Sequence, residues 1–437
     1  IAFSAPIICS VILAYRGYVK LCILLSGFFM MLQLGSNHVQ ITYYTAIALS
    51  ALGIYFLVRA IQTKDLKTFG IATGGILAFY ALAAMSTAAN LFPTGEYTAE
   101  TTRGKNHVTI TPTLESNAGN TTSGLDRDYI VQWSLGKSET ATLFNPYAKG
   151  GHSVMIGNGE LADRLKDMTE FNNNERQFIA NSVQYYGDQP FTSGPVYIGG
   201  IVLLLAILGL FFINSGIKWA FFAVAVLSLF LAWGKNMMWF TNLFLDYVPM
   251  YSKFRAVTMV LILLELAMPA LLVLMLHQLW AHRDNILEKK KLFLGVTGGL
   301  MALLLAITLS PDWIGMTSKE ERAKANNPQE AIFQDVARQV QMIPPQQLTQ
   351  YGVQNPNDQR EVMEFIMQVT EAQVQEFDRN FPALITFRKM IYNSYGMRTF
   401  VFVLFGLGLV LLHLFVPSVN RYVMTGGLGV LIAIDLI

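Results

Sequence analysis

The run Val257-Thr258-Met259-Val260-Leu261-Ile262-Leu263-Leu264-Glu265-Leu266-Ala267-Met268-Pro269-Ala270-Leu271-Leu272-Val273-Leu274-Met275-Leu276-His277-Gln278-Leu279 holds a single acid, Glu265, and no Lys or Arg. A helix crosses the roughly 30 Å hydrocarbon layer of a bilayer with about 20 apolar residues, at about 1.5 Å of rise each. This run is long enough to do so. Comparable runs lie at about 1–15, 20–36, 40–60, 68–91, 196–214, 217–234, 256–280, 292–310, 398–416 and 421–437. The reading is an all-α polytopic membrane protein with about ten transmembrane helices. The 437 residues are 53% hydrophobic and only 14% charged, against about 25% charged in an ordinary soluble domain. Mean hydropathy is +0.41. A formal net charge of +2, with Lys and Arg in loops rather than gathered in a stripe, argues against nucleic acid as a partner.

The basic residues also orient the chain, because alternate loops must lie on opposite sides. One set of loops carries Arg16 and Lys20, then Arg59, Lys64 and Lys67, then Lys218, then Arg283, Lys289, Lys290 and Lys291, then Arg421. The other holds the turn Gly35-Ser36-Asn37-His38, the polar segment 92–195, the loop 235–255 and the polar segment 311–397. The first set is expected inside and the second outside. The organisation is then helices in 1–91, an outer insertion 92–195, helices in 196–310 with the outer loop 235–255, an outer insertion 311–397, and helices in 398–437. Segment 92–195 is rich in Thr, Asn, Gly and Tyr, alternates at Val108-Thr109-Ile110-Thr111, and predicts a helix around 159–171 within irregular loops and a little strand held against the membrane part. In 311–397, Ile332, Val336 and Val340, then Val362, Phe365, Ile366 and Val369, recur at helical spacing on either side of Pro344-Pro345 and predict a helical cap. Cys9 and Cys22 sit in apolar runs and read as small buried hydrophobes, with no disulfide framework outside. The chain opens at Ile1 and closes at Ile437 inside apolar runs, with no positive n-region or cleavage site. That reads as an internal portion of a longer protein.

Few polar residues stand where chemistry is expected. Glu265 in mid-span is either a functional carboxylate facing the bundle interior or a wet cavity, or a group hydrogen-bonded to a neighbouring helix near Pro269. Arg255 opens a membrane helix from the outer side, where a guanidinium and free helix amides would hold a phosphate or snorkel to lipid headgroups. Lys235 lies in the same aromatic loop. Glu96-Tyr97 and Glu100 follow a membrane helix directly, with Arg103 in reach of a lipid-borne phosphate. Asp188, in Gly187-Asp188-Gln189-Pro190, is either turn-forming or catalytic. His38 and Gln40 occupy a tight outward turn. No nucleotide loop, paired Cys-x-x-Cys or His-Glu-x-x-His occurs, so no metal ligand set is assigned.

Several motifs together resemble the YfhO-like family of bacterial membrane proteins, in the form seen in Bacteroidota, over nearly the whole chain. They are Asn37-His38-Val39-Gln40-Ile41-Thr42-Tyr43-Tyr44, Glu96-Tyr97 with Arg103-Gly104, and Gly124-Leu125-Asp126-Arg127-Asp128-Tyr129 with Trp133-Ser134 and Glu139-Thr140. To these add Gly187-Asp188-Gln189-Pro190-Phe191-Thr192-Ser193-Gly194-Pro195-Val196-Tyr197, and Ala232-Trp233-Gly234-Lys235-Asn236 with Phe254-Arg255. The resemblance implies a GT-C-like fold and a glycosyltransferase that moves a sugar from a polyprenyl-phosphate carrier to an envelope glycan outside the bacterial inner (cytoplasmic) membrane, both insertions being periplasmic. On this footing Arg255 and Arg103 clamp the departing lipid phosphate, with Lys235, His38, Gln40 and Tyr97 also on the substrate. Asp188, Glu96 and Glu100 orient the acceptor or act as base. No cofactor is required beyond the polyprenyl-phosphate sugar, and a divalent metal is left open. GT-C enzymes place a catalytic acid in the first outer loop, and this chain begins beyond that point, which sets the main base outside it. Two other classes compete: a scaffold subunit with membrane-protein partners, and a lipid or sugar transporter. A transporter should line its path with intramembrane charges, of which Glu265 is nearly alone.

Overall fold

The computed structural model describes residues 1–101, 125–416 and 418–436. Its regular elements are helices; the β-structure among the described residues is one isolated bridge between Met155 and Val183. In chain order the helices are α1 (Ser4–Tyr15), α2 (Val19–Gly35), α3 (Val39–Thr63), α4 (Leu66–Ser86), α5 (Ala88–Ala99), α6 (Arg127–Val131), α7 (Ala162–Asp167) and α8 (Asn173–Ala180). There follow α9 (Gly200–Phe212), α10 (Ile217–Ala232), α11 (Met238–Tyr247), α12 (Ile262–Ala281), α13 (Arg283–Glu288) and α14 (Lys290–Leu309). The last are α15 (Pro311–Ile314), α16 (Lys319–Asn326), α17 (Pro328–Met342), α18 (Pro345–Leu348), α19 (Gln359–Phe415) and α20 (Arg421–Asp435).

Among the described residues, five helical stretches are long and apolar enough to cross a membrane: Val39–Thr63, Leu66–Ser86, Val257–Ala281, Lys290–Leu309 and a part of Gln359–Phe415. The pair α10 and α11, bent by 109° at Trp233-Gly234, makes a sixth if counted as one span. Helices α1, α2 and α9 are apolar but shorter.

The chain divides into two units. The first comprises Ile1–Phe144, Val196–Leu304 and Thr399–Ile437. Within it α1, α2 and α4 pack together, α3 joins them to α10, α12 lies against α9 and α10, and α20 lies on α9. Apolar side chains have no reason to leave lipid for one another, so packing and polar pins hold such helices. Gln33 supplies a pin: buried on α2, it accepts from Ser4 Oγ of α1 at 3.1 Å and donates to Thr45 Oγ1 of α3 at 3.0 Å. Small residues allow close approach. A Cβ on Gly75 of α4 would come within 2.3 Å of Ile23 on α2. Asp435, buried near the end of α20, accepts from the Tyr197 hydroxyl at 2.8 Å and from the Gly200 amide at 3.1 Å, so it caps the amino end of α9. Cys22 is buried as expected, but Cys9 is exposed because α1 turns Ile7, Ile8 and Val11 inward instead.

The second unit comprises Asn145–Pro195 and Leu305–Arg398. The polar segment 92–195 is therefore shared between units, and its later half has a core in common with the helical segment that follows residue 304. In that core Ile332, Val336 and Val340 of α17 are buried as their spacing predicts, with Leu161, Leu165 and Ile179 and with Phe381, Leu384 and Phe387 of α19. The helix expected around 159–171 is the short α7. A buried polar knot accompanies this core. Arg388, 3% exposed, donates to both Glu321 oxygens at 2.7 and 2.8 Å, to Met316 O at 3.0 Å and to Val183 O at 3.2 Å, and lies over the Tyr186 ring. Glu321 also accepts from the Ser318 amide at 2.8 Å, closing the capping box of α16. Burial acts to raise the Glu321 carboxyl, but Arg388 and Ser318 more than offset it and hold the group below its ordinary value. Gly150, at φ +84°, passes so close to Gln184 that a Cβ would stand 1.8 Å from its carbonyl oxygen.

Candidate functional site

Of the non-glycine residues with positive φ in the first unit, Asn37 and Lys64 stand singly and two lie in the loop between α11 and the span Val257–Ala281. Met250 (φ +65°) and Ala256 (φ +57°) are both left-handed without being glycine, at a cost of order 1–3 kcal/mol each, so neighbouring contacts must over-determine the loop. They do. The Tyr43 hydroxyl donates to Pro249 O at 2.9 Å, and buried Gln40 donates through Nε2 to Arg255 O at 2.7 Å and to the Tyr44 hydroxyl at 2.9 Å. From the other side the Leu125 amide donates to Ser252 O at 3.0 Å and the Thr258 amide to Trp133 O at 3.3 Å. The backbone of Arg255 is thereby fixed while its side chain stays exposed.

Residues 125–143 form a strap across this loop and the α10–α11 bend. Asp126 caps α6 by accepting from the Tyr129 amide at 3.1 Å, which sets Arg127 and Tyr129 on one short turn of helix. Arg127 reaches Asn242 Oδ1 at 2.7 Å and Asp246 at 2.6 Å, both on α11. The Arg255 guanidinium donates to the Tyr129 hydroxyl and lies 5.7 Å from the centre of its ring. With its oxygen occupied as acceptor, the Tyr129 hydroxyl proton is directed away from Arg255. Phenol O–H and the remaining guanidinium N–H groups then stand side by side, a donor set suited to an anion.

The bend itself is sewn to the strap. The Lys235 amide donates to Ser134 Oγ at 2.9 Å, Asn236 Nδ2 to Leu135 O at 2.8 Å, the Leu135 amide to Ala232 O at 2.8 Å, and Trp233 Nε1 to Thr140 Oγ1 at 3.0 Å. Gly234 (φ +43°) permits this approach, since a Cβ there would lie 2.1 Å from Ser134 Oγ. The buried Glu139 carboxylate accepts from the Gly136 amide at 3.0 Å and keeps the strap folded on itself.

Of the residues singled out in the sequence, Gln40, Lys235 and Arg255 belong to this constellation. His38 is exposed at the amino end of α3. Glu96, Tyr97 and Glu100 stand exposed on α5 and its end, and no hydrogen bond or ion pair among the described residues joins them to Arg255. Arg103, Gly104, Gly124 and the 108–111 alternation lie outside the described residues. Asp188 belongs to the second unit, where it is ion-paired with Lys319 at 3.2 Å and mostly buried. Glu265 stands on the exposed side of α12, in one stripe with Pro269 and Val273, because Leu264, Ala267 and Leu271 take the packed side. Neither an interior carboxylate nor one bonded to a neighbouring helix describes it. Arg127, Tyr129, Asn242 and Asp246 were missed as site residues. Their signal was Asp126-Arg127-Asp128-Tyr129, a charged cluster in a polar segment, and Asp246, the lone acid of α11. Comparison of the chain with protein-family models, curated proteins and solved structures finds no match.

Proposed function

We propose that the chain is a bacterial inner-membrane transferase of GT-C type, related to the YfhO-like family, that moves a sugar from a polyprenyl-phosphate carrier to an envelope glycan outside the membrane. One observation carries the reading. Motifs far apart in sequence, around Gln40, Tyr129, Ser134, Lys235 and Arg255, converge on one strained loop that presents a guanidinium and a phenol together.

In such a transfer the bond from the anomeric carbon to the phosphate oxygen breaks, and the electron pair leaves with the lipid phosphate. The acceptor hydroxyl bonds to the anomeric carbon and gives its proton to a base. Negative charge grows on the phosphate, so donors aimed there act mainly in the transition state. Arg255 and the Tyr129 hydroxyl are assigned to that phosphate, and Lys235, whose amide bonds Ser134 of the same strap, is assigned to the substrate with them. Gln40 acts through the Arg255 backbone and is a positioning residue. For the base, Asp128 beside Tyr129 in the chain joins Glu96 and Glu100 as a candidate, whereas the ion pair with Lys319 favours a turn role for Asp188.

Mass spectrometry of lipid retained by the purified protein tests this. Polyprenyl phosphate, with or without a sugar, should be held by wild type, lost in Arg255→Ala and weakened in Arg255→Lys, which keeps the charge without the fork. Bulk phospholipid alone in every sample, with a second protein co-purifying in fixed ratio, would replace the enzyme with a scaffold subunit.

A further inference from the structure

Away from that loop, the first unit has a cavity of about 520 Å³ lined by Tyr15, Arg16, Arg59, Thr63, Asp65 and Thr68 among others. That size suits a small-molecule site. Phe56, Tyr15 and Phe69 stack in its wall, Tyr15 lying 4.8 Å from Phe56 and 5.2 Å from Phe69 between ring centres. Asp65 is engaged by the Thr68 amide at 3.2 Å as the cap of α4. Among the described residues neither Arg16 nor Arg59 makes an ion pair, so the lining holds two arginines against one carboxylate. A second cavity of about 330 Å³ has Tyr15 and Phe69 among its walls too and lies between α1, α3 and α4, with Met30 of α2. Its lining is mostly apolar, including Val11, Leu49, Ile76 and Leu77, with Gly53 leaving room on α3.

A basic chamber and an apolar groove that have two aromatic rings as common walls, beside the membrane-length helices α3 and α4, match a molecule with an anionic head and a hydrocarbon tail. A soluble phosphate compound would have no use for the groove, and a neutral lipid none for the arginine pair. We infer that this is a binding site for an anionic phospholipid, its phosphate on Arg16 and Arg59 and one acyl chain in the groove. Lys20, Lys64 and Lys67 flank it in sequence, which by the positive-inside rule sets it in the cytoplasmic leaflet. The inference rests on α3 and α4 crossing the membrane and is independent of the transferase reading.

Native mass spectrometry of the purified full chain in detergent tests it, with phosphatidylglycerol, phosphatidylcholine and inorganic phosphate added in separate arms. Phosphatidylglycerol should bind at least about tenfold more tightly than phosphatidylcholine, a difference of about 1.4 kcal/mol. R16A/R59A should abolish that preference, and R16K/R59K should keep part of it. Gly53→Leu has space for its Cβ, whose nearest neighbour is the Tyr15 hydroxyl at 4.0 Å, and suits a helix better than glycine does. It should fill the groove and weaken phosphatidylglycerol by about tenfold or more while leaving the R16A/R59A-sensitive response to inorganic phosphate unchanged. Equal binding of both lipids, or a preference surviving R16A/R59A, overturns the site. Phosphate binding with no lipid preference and no effect of Gly53→Leu would make it a soluble-anion pocket and also overturn the lipid assignment. Loss of polyprenyl phosphate in Arg255→Ala is a separate readout, so the two proposals fail separately.

Discussion

Glu321→Ala should be one of the most damaging single changes in the second unit. It leaves the Arg388 guanidinium, 3% exposed, with only two carbonyl acceptors and the Tyr186 ring. An uncompensated buried charge costs about 3–5 kcal/mol. Adding Arg388→Met removes that charge and keeps the hydrocarbon stem, so the double variant should be more stable than the Glu321→Ala single by about 1–3 kcal/mol. The pH dependence adds a signature. Because the folded carboxyl is held below its ordinary value, its stabilisation is complete above the unfolded value near about 4.3 and is lost as pH falls through the folded one. Wild type should therefore lose stability on acidification below that range, and Glu321→Ala should lack this component. Thermal melts in detergent between neutral and acidic pH, followed by limited proteolysis within 305–398, would measure both effects. A single-variant loss under about 1 kcal/mol, or a double variant no more stable than the single, would refute the reasoning.

Three further changes probe other links. Gly234→Ala forces both a left-handed alanine and a clash with Ser134 Oγ; it should lower the melting temperature and release the retained polyprenyl phosphate, and unchanged retention would break the link between bend and site. Asp435→Asn keeps an acceptor but removes the charge that caps α9 and receives Tyr197; a loss of about 1.5–3 kcal/mol in denaturant unfolding is expected, and an unchanged midpoint would contradict the cap. Arg127→Ala breaks an ion pair whose side chains are 23% and 43% exposed. It should cost at most about 1 kcal/mol, less at high salt, and a melt shift that grows with salt would contradict that account.

Apolar run length made α3, α4, α12 and α14 legible to within a few residues, because the bilayer imposes a length that composition displays directly. It failed where composition changes but conformation does not. Residues 359–397 are polar and 398–415 apolar, yet α19 runs through both from Gln359 to Phe415, since no residue at the junction interrupts helical hydrogen bonding. Likewise 235–255 read as an outer loop between the apolar runs 217–234 and 256–280, while its middle is the helix α11. Within the site, Arg255 and Gln40 stood out as polar groups beside apolar runs. Tyr129 and Asp246 did not, because their roles exist only through partners more than a hundred positions away, 126 for Tyr129 with Arg255 and 119 for Arg127 with Asp246. Spacing rules are local and do not see such pairs.

The sewing of strap to bend also has a consequence in time. Ser134 leaves the ribosome 101 residues ahead of Lys235, the amide it must accept. At about 5–20 residues per second, its partner is synthesised ~5–20 s later, after α9 and α10. During that interval the strap lacks the bend and the loop it hydrogen-bonds to, while the contact of Glu139 with the Gly136 amide is internal to the strap. A nascent chain stalled before residue 232 should therefore be cut by protease within 125–143, and one stalled well beyond residue 258 should resist, since the strap is held only once both the bend at Gly234 and the Arg255 loop have been made.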